Sequence, residues 1–412
     1  MKIGYLMQEG VPNIYYKPLS GPANHVVSVI QELRDAGHEV LLLYKLDSKF
    51  FVSGDQEKFT ALEIHFFGRR FLRVIERVIR RIQSELRLPY ANFFESLRFA
   101  FAIRQVLSNC DIYYERMGWL GYGGTIASRW LSIPLVLEVN GDHIDEFKSR
   151  GMIVQGNQQR LSRFIMKEMT KYPAHVVASG EGWREKFIDR WNVEPSKVSV
   201  IENGSSVVDL LKSEDLRNFK PVDPADTIQV VYCGGFESWY GLPFLVQAVR
   251  RAIRAGCNLH ATLIGSGAEQ DQISELIQSL GLEVHFTLTG QMGLKQLAGQ
   301  LAQANVGVAP YCNRVEFSGL KLLDYKAAGL ATIVSGKGNQ PRIITHGRTG
   351  LIVPPCDEVA LADAIIYLSE NPKLVEEMGR QARHEAEQMH RWKNTAAELV
   401  ELFSSVLARG NR

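Results

Sequence analysis

Two carboxylates, Glu316 and Asp324, stand eight positions apart in the stretch Glu316-Phe317-Ser318-Gly319-Leu320-Lys321-Leu322-Leu323-Asp324-Tyr325-Lys326-Ala327-Ala328-Gly329. The first falls in a loop that ends at a glycine, and the second projects from the first or second turn of the amphipathic helix that follows. Small residues at the helix start, Ser318 and Gly319, let a ligand approach unpaired backbone N–H groups, where the helix dipole favours an anion. Loop amides for phosphates and carboxylates for hydroxyls together suit a sugar nucleotide. Taken alone, the stretch reads as a loop, a helix start and a solvated acid, and the surrounding elements must decide between the two.

Those elements alternate. Lys2 to Met7 is an apolar strand, Val26, Ile30 and Leu33 mark one face of a helix stopped at Gly37, and His38 to Tyr44 is the next strand. This is a βαβ unit with parallel strands, which puts Gly21 at the carboxyl end of the first strand, where open α/β sheets bind ligands. His25 reads equally as a ligand contact or as a polar residue of the helix start. Strands at 111–114 and 134–139 follow, the second ending in Asn140-Gly141-Asp142-His143. His143 has no His or Cys at metal spacing. Further units end at Glu202-Asn203-Gly204, and Asn203-Gly204-Ser205 fits the N-glycosylation pattern.

Residues 69–87 hold seven arginines against Glu76 and Glu85. Helical spacing puts Arg70, Arg73, Arg77 and Arg80 on one face and Ile75, Val78, Ile82 and Leu86 on the other. Such a basic amphipathic helix suits either an anionic membrane, bound peripherally, or a plain solvated surface or docking patch for an acidic acceptor.

The pattern breaks into charged and proline-bearing sequence at 209–226, read as a linker between residues 1–208 and 227–391, with 392–412 returning to complete the first domain. A second βαβ series then runs from Ile228, with glycine loops at Gly234-Gly235, Gly265-Ser266-Gly267 and Gly290. The expectation is an α/β protein of two doubly wound Rossmann-like domains facing each other across a cleft. Length agrees, since 412 residues exceed a single core.

Composition narrows the class. The chain is 45% hydrophobic and 22% charged with a net charge of +2, which argues against wholesale nucleic-acid binding. Its five cysteines are dispersed without a CxxC pair, so reduced thiols in a cytoplasmic protein are expected rather than disulfides or zinc. The N-terminus reads as a strand, not a signal sequence, and no apolar run is long enough to span a bilayer. Gly265-Ser266-Gly267 lacks the third glycine of a dinucleotide fingerprint, and there is no Walker A or Gly-x-Ser-x-Gly sequence. His384-Glu385 lacks zincin spacing to His390 and is expected on a helix surface, and no Asp-x-Asp pair offers a metal site.

Gly21-Pro22-Ala23-Asn24-His25, Gly37-His38-Glu39-Val40, Glu138-Val139-Asn140-Gly141, Glu202-Asn203-Gly204, Trp239-Tyr240-Gly241, Ile264-Gly265-Ser266-Gly267, Glu316 to Gly329 and Gly347-Arg348-Thr349-Gly350 follow one another along the chain. In that order and spacing the chain resembles the retaining family 4 glycosyltransferases of the GT-B fold over nearly its full length. The resemblance implies that Glu316 contacts donor-sugar hydroxyls and Asp324 the ribose, on the family's Glu-x7-Glu pair. It implies that amides of Ser318, Gly319 and Leu320 touch the diphosphate and sugar, and that Met292 lies in the base-binding loop. Gly265 and Tyr240 fall in donor-side loops, and Gly21 and His25 in the acceptor-side loop. Asn140 falls where many members have a histidine beside the reacting sugar.

Members usually carry an Arg and a Lys where this chain has Gly235 and Tyr240. Losing one such diphosphate-binding cation costs about 2–4 kcal/mol without a substitute, and Lys321 is the candidate substitute. The implied activity is transfer of a hexosyl or N-acetylhexosaminyl group from a nucleoside diphosphate sugar, with retention by front-face attack and with no metal or cofactor. Alternatives are a non-catalytic sugar-nucleotide-binding partner subunit and a sugar-nucleotide epimerase on the same fold. Donor sugar, base and acceptor are not legible, although the arginine face suits a lipid-linked or acidic acceptor.

Overall fold

A computed structural model describes residues 1–8, 21–46, 49–55, 58–64, 70–86, 88–144, 147, 155–219, 227–312, 319–337 and 341–410. The chain forms two compact units. One contains Pro22–Glu202 with the first strand and Thr395–Arg412, and the other is built on Asn203–Asn394.

The first unit is organised on a sheet of strands β1 (Lys2–Met7), β2 (Glu39–Leu46), β3 (Lys49–Ser53), β4 (Thr60–Leu62), β5 (Ile112–Arg116), β6 (Leu135–Val139), β7 (His175–Ala178) and β8 (Val198–Val200). Among the described residues their order is β4-β3-β2-β1-β5-β6-β7-β8. From β2 to β8 every pairing is parallel. An antiparallel hairpin, β3–β4, extends the edge beyond the parallel array that the sequence predicts. The central strands are covered on both faces, so they read as nearly continuous apolar runs. Helix α1 (Gly21–Asp35) buries Ala23, Val26, Val29, Ile30 and Leu33 at helical spacing. Because β1 is flanked by β2 and β5, the strand order reverses there and leaves a crevice at the carboxyl ends.

The second unit carries β9 (Ile228–Cys233), β10 (Leu259–Ile264), β11 (Phe286–Gly290), β12 (Val306–Ala309), β13 (Ala331–Ser335) and β14 (Gly350–Val353) in the order β11-β10-β9-β12-β13-β14, all parallel. Its reversal point lies between β9 and β12.

Three expectations change. The charged stretch that predicts a linker is largely built into the second unit: Val207, Val208, Leu211 and Leu216 join a buried cluster with Leu322 and Tyr325. Asn218 Nδ2 donates to the carbonyls of Gly329 (2.9 Å) and Val375 (3.0 Å). Charge alone predicts a tether, but Leu211 and Leu216 within it find apolar neighbours. Residues 220–226 lie outside the described residues. Of the His384-Glu385 pair, His384 is exposed on its helix as expected, but Glu385 turns inward towards His390. Glu385 Oε2 accepts from the buried Lys326 Nζ at 2.6 Å, and His390 Nε2 lies 3.2 Å from the same nitrogen. Finally, Cys312 and Cys356 form a disulfide with Cα atoms 4.8 Å apart, while Cys110, Cys233 and Cys257 are free thiols. The two residues follow β12 and β14, which are separated only by β13, roughly 10 Å in strand spacing. Sheet order, invisible in the 44-residue separation, brings them together.

The basic segment forms α2 (Arg70–Glu85), followed by α3 (Phe93–Val106). The side chains of Arg70 and Arg73 lie outside the described residues. Arg77 is exposed, whereas Arg80 turns towards α3 and pairs with Glu76 (2.8 Å) and Glu95 (3.4 Å). The arginines therefore do not share one solvent face.

A buried arginine ties the second unit together. Arg383 donates to the carbonyls of Ala327, Val208 (3.1 Å) and Leu211 (2.8 Å) and pairs with Glu387 at 2.6 Å. Arg383→Met leaves those carbonyls without a donor and is expected to cost about 3–5 kcal/mol, read as a lower urea midpoint at unchanged slope.

Candidate functional site

In the second unit the site is built on the helix Leu320–Ala327, which starts at the carboxyl end of β12. Tyr325 anchors it: the hydroxyl donates to Val308 O (3.1 Å) and accepts from Cys233 N (2.9 Å), linking β12 to β9. Its ring lies where a Cβ on Gly307 would come within 2.6 Å, so the helix sits close on the strand. Leu322 and Leu323 are fully buried. Gly319 begins the helix with φ 68° and has no side chain with which to cap it. A left-handed residue there favours glycine, and a Cβ would also meet Ile343 Cδ1 at 2.1 Å. Leu320 follows, half-buried. Glu316 and Ser318 lie outside the described residues.

Lys321 is buried. Its Nζ donates to Tyr232 Oη at 3.0 Å and lies 3.9 Å, 4.2 Å and 5.2 Å from the ring centroids of Tyr240, Tyr232 and Tyr311. Burial pushes the amine down to about 7, with Cys233 acting the other way. The three ring faces favour the charged form, since their quadrupoles attract a cation. The Tyr232 hydroxyl in turn donates to Gly235 O at 2.5 Å. Of the two positions without a positive charge, Tyr240 thus borders the ammonium that Lys321 brings from the helix, and Gly235 is linked to it through the Tyr232 hydroxyl. Gly234 leaves it room, since a Cβ there would lie 2.7 Å from Nζ.

Asp324 accepts from Ser205 Oγ at 2.6 Å. Burial pushes its carboxyl up to about 6, and the Ser205 hydrogen bond acts in the opposite direction. Ser205 and Asn203 are themselves buried, so the N-glycosylation pattern lies inside the fold. Gly265 ends β10 with φ 135°, and a Cβ would come within 1.9 Å of Gly234 O. Close approach of two backbone loops accounts for that glycine. Met292 packs half-buried against the cluster containing Leu301 and Ile344.

In the first unit the sequence candidates converge on a residue not singled out from the sequence. Glu138, the penultimate residue of β6, is buried with Oε1 2.7 Å from His25 Nε2 and 3.3 Å from Arg116 Nη1. Asn140 Nδ2 also donates to Oε1, and Tyr5 Oη donates to Oε2 at 3.3 Å. Burial would raise the carboxyl, but His25, Arg116 and Asn140 together hold it well below the usual carboxylate range. Because an ionised carboxylate only accepts, Asn140 must turn its amide nitrogen inward and offer its oxygen outward. Gly21, at the start of α1, is exposed. His143 Nε2 lies 3.2 Å from Met117 O. Among the described residues no group of three or more His, Cys, Asp or Glu side chains could hold a metal.

One strand away, Glu115 in β5 is fully buried, with no side-chain hydrogen bond among the described residues. Burial pushes its carboxyl up to about 8, opposed by the backbone N–H of Gly124. The signal for Glu138 was available: a single charge inside the apolar parallel-strand run Leu-Val-Leu-Glu-Val.

The model of Glycosyltransferase Family 4 matches residues 19–207, and that of Glycosyl transferases group 1 matches residues 213–385. A D-inositol 3-phosphate glycosyltransferase from Arthrobacter sp. (strain FB24) is 30% identical over 312 residues, covering 74% of this chain and 72% of that protein. The chain belongs to glycosyltransferase family 4. Its fold is that of the GT-B glycosyltransferases, with two Rossmann-like domains. A sucrose-phosphate synthase from Thermosynechococcus elongatus superposes with a TM-score of 0.73 at 20% identity, covering 99% of each chain. Anabaena HepE, in complex with UDP-glucose, does so with a TM-score of 0.69 at 17% identity, covering 98% of this chain and 100% of that one. This glycosyltransferase spans 58% to 73% of the length of its inositol phosphate glycosyltransferase relatives. No helix among its described residues is long and apolar enough to cross a membrane.

Glu115 makes the first unit pH-sensitive. Its folded carboxyl titrates near 8, above the ordinary value of 4.5, so its contribution to stability is lost as pH rises from about 4.5 to about 8. Glu115→Gln is expected to flatten the fall in Tm over that interval and to raise Tm at pH 8 relative to the wild type.

Proposed function

We propose that this glycosyltransferase moves a hexosyl or N-acetylhexosaminyl group from a nucleoside diphosphate sugar to an acceptor, with retention and without a metal. The observation that carries this reading is the buried ammonium of Lys321 beside the start of the helix Leu320–Ala327, whose N-cap is a glycine. The backbone N–H groups of a helix start and one cation lie on the same short helix there, where negative charge develops as a diphosphate departs. The three tyrosine rings keep water from the ammonium, so its field is weakly screened. Asp324, held by Ser205, is the ribose ligand in this reading, and Met292 and Gly265 border the nucleotide. Glu316 would take the sugar hydroxyls, with Ser318, Gly319 and Leu320 at the phosphates.

In the first unit, Glu138 fixes His25 and Asn140, and the amide oxygen of Asn140 is offered to the reacting sugar or the attacking hydroxyl. The leaving phosphate takes the acceptor proton, so no protein nucleophile is required. The names of the relatives support a phosphorylated or lipid-linked polyol as acceptor. They include a phosphatidyl-myo-inositol mannosyltransferase from Mycobacterium leprae, 26% identical over 56% of this chain and 62% of that one. The site of action in this reading is the cytoplasm, peripheral to a membrane.

Lys321→Met is expected to lower kcat by about 10²–10³-fold while the fold survives. Full turnover in that variant would overturn the role given to Lys321, and donor binding by the wild type with no transfer to any acceptor would overturn the reading in favour of a non-catalytic subunit. Appearance of an epimerised donor without acceptor would indicate an epimerase. Donor affinity is expected to weaken as pH rises through about 7, where Lys321 loses its proton, and as pH falls through about 6, where Asp324 gains one. Calorimetric titration checks both limbs. Lys321→Met should remove the upper and Asp324→Asn the lower.

A further inference from the structure

Helix α2 is turned inside out. Its inward side is polar: Glu76 is buried, paired with Arg98 and with Arg80, and Arg80 also reaches Glu95. The Arg80 guanidinium lies 5.9 Å from the Tyr90 ring and 6.0 Å from the Phe94 ring. Its outward side is aliphatic. Val74, Val78, Ile82 and Leu86 follow one another at four-residue steps and, with Ile79, leave 44 to 64% of their surface exposed. Four residues at that spacing make a ribbon roughly 18 Å long on one helix face. Scattered apolar residues on a surface are ordinary, but a contiguous ribbon marks a surface that something covers. A cavity of about 320 Å³ lined by Ile79, Arg80, Tyr90, Phe93 and Phe94 continues the apolar surface towards α3.

Charge identifies the occupant. The helix contains five arginines and two glutamates, and Glu76 is already engaged by Arg80 and Arg98. Arg77 and Arg81 are exposed along one border of the ribbon, and Arg81 shares only the exposed Glu85, at 2.8 Å. An apolar stripe rimmed by arginine fits a bilayer carrying acidic phospholipids, whose phosphates meet the guanidinium groups and whose acyl boundary receives the aliphatic side chains. A second copy of the same face would bring like charges together.

We propose that α2 docks this protein on an anionic membrane, with Val74, Val78, Ile82 and Leu86 entering the acyl boundary and Arg77 and Arg81 contacting lipid phosphates. The docking deepens the transferase reading by presenting the first unit to a lipid-linked acceptor, and it rests on that reading only for this purpose.

Co-sedimentation of the full chain with vesicles tests it. Binding is expected to phosphatidylcholine vesicles containing phosphatidylglycerol, to weaken with salt, and to be slight with phosphatidylcholine alone. The Val78→Asp/Ile82→Asp double variant, and separately Arg77→Glu/Arg81→Glu, should lower the bound fraction by about tenfold or more at unchanged Tm, since all four residues face solvent. No binding by the intact chain, equal binding to both vesicle types, or wild-type binding by either double variant would overturn the proposal. So would a dimer in solution that Ile82→Asp converts to monomer, because a second copy would then cover the ribbon. Sedimentation uses neither donor nor acceptor, so intact vesicle binding without sugar transfer counts against the transferase reading alone.

Discussion

An ammonium group taken out of water needs compensation, and the second unit is arranged around supplying it to Lys321. Three tyrosines from separate segments, Tyr232 at the end of β9, Tyr240 before the next helix and Tyr311 after β12, turn their rings towards one nitrogen. Gly234 vacates the space that the nitrogen occupies, and Tyr325 clamps the helix carrying the lysine to the two strands that carry the cage. The compensation is incomplete, and the amine is held near neutrality. An arriving diphosphate would complete it, since a doubly charged neighbour favours the protonated amine.

The first unit treats buried charge in the opposite way. Glu138 is surrounded by His25, Arg116, Asn140 and Tyr5 and stays ionised, so it orients its neighbours as a fixed point of negative charge. Glu115, one strand over in the same sheet, has only a backbone N–H and is driven towards its neutral form. Two glutamates in adjacent parallel strands thus differ in charge state because one strand end receives the His25 ring from α1 and the Arg116 guanidinium from β5 and the other faces the start of the helix Gly123–Leu131. What each acid can do follows from that difference.

Much was legible before any coordinates. Parallel strands alternating with helices announce themselves through buried apolar runs and 3.6-residue periodicity, so both sheets and the helix carrying Lys321 and Asp324 follow from the sequence. The emphasis on Lys321 also came from sequence, because Gly235 and Tyr240 left a charge unaccounted for. What local pattern misjudged was direction and depth. Residues 209–219 look like a tether because they are charged, yet Leu211 and Leu216 are buried. The arginine helix reads as basic face out, yet the ion pairs of Glu76 with Arg80 and Arg98 point inward and Val74, Val78, Ile79 and Ile82 outward.

The sequence by itself determined the periodicities, the two-domain α/β class, the order of motifs and the types of residue available to bind a sugar nucleotide, since these depend on near neighbours in the chain. Only the tertiary structure decided which of those residues meet. The tyrosine cage joins residues 232, 240, 311 and 321, the Glu138 cluster joins residues 5, 25, 116, 138 and 140, and Cys312 reaches Cys356 across β13. Each meeting is set by strand order in a parallel sheet, which gathers the carboxyl ends of distant segments at one edge. The helix beginning at Leu320 depends on both: its own residues make it a helix carrying a lysine and an acid, and the strands beneath it make that lysine a buried cation.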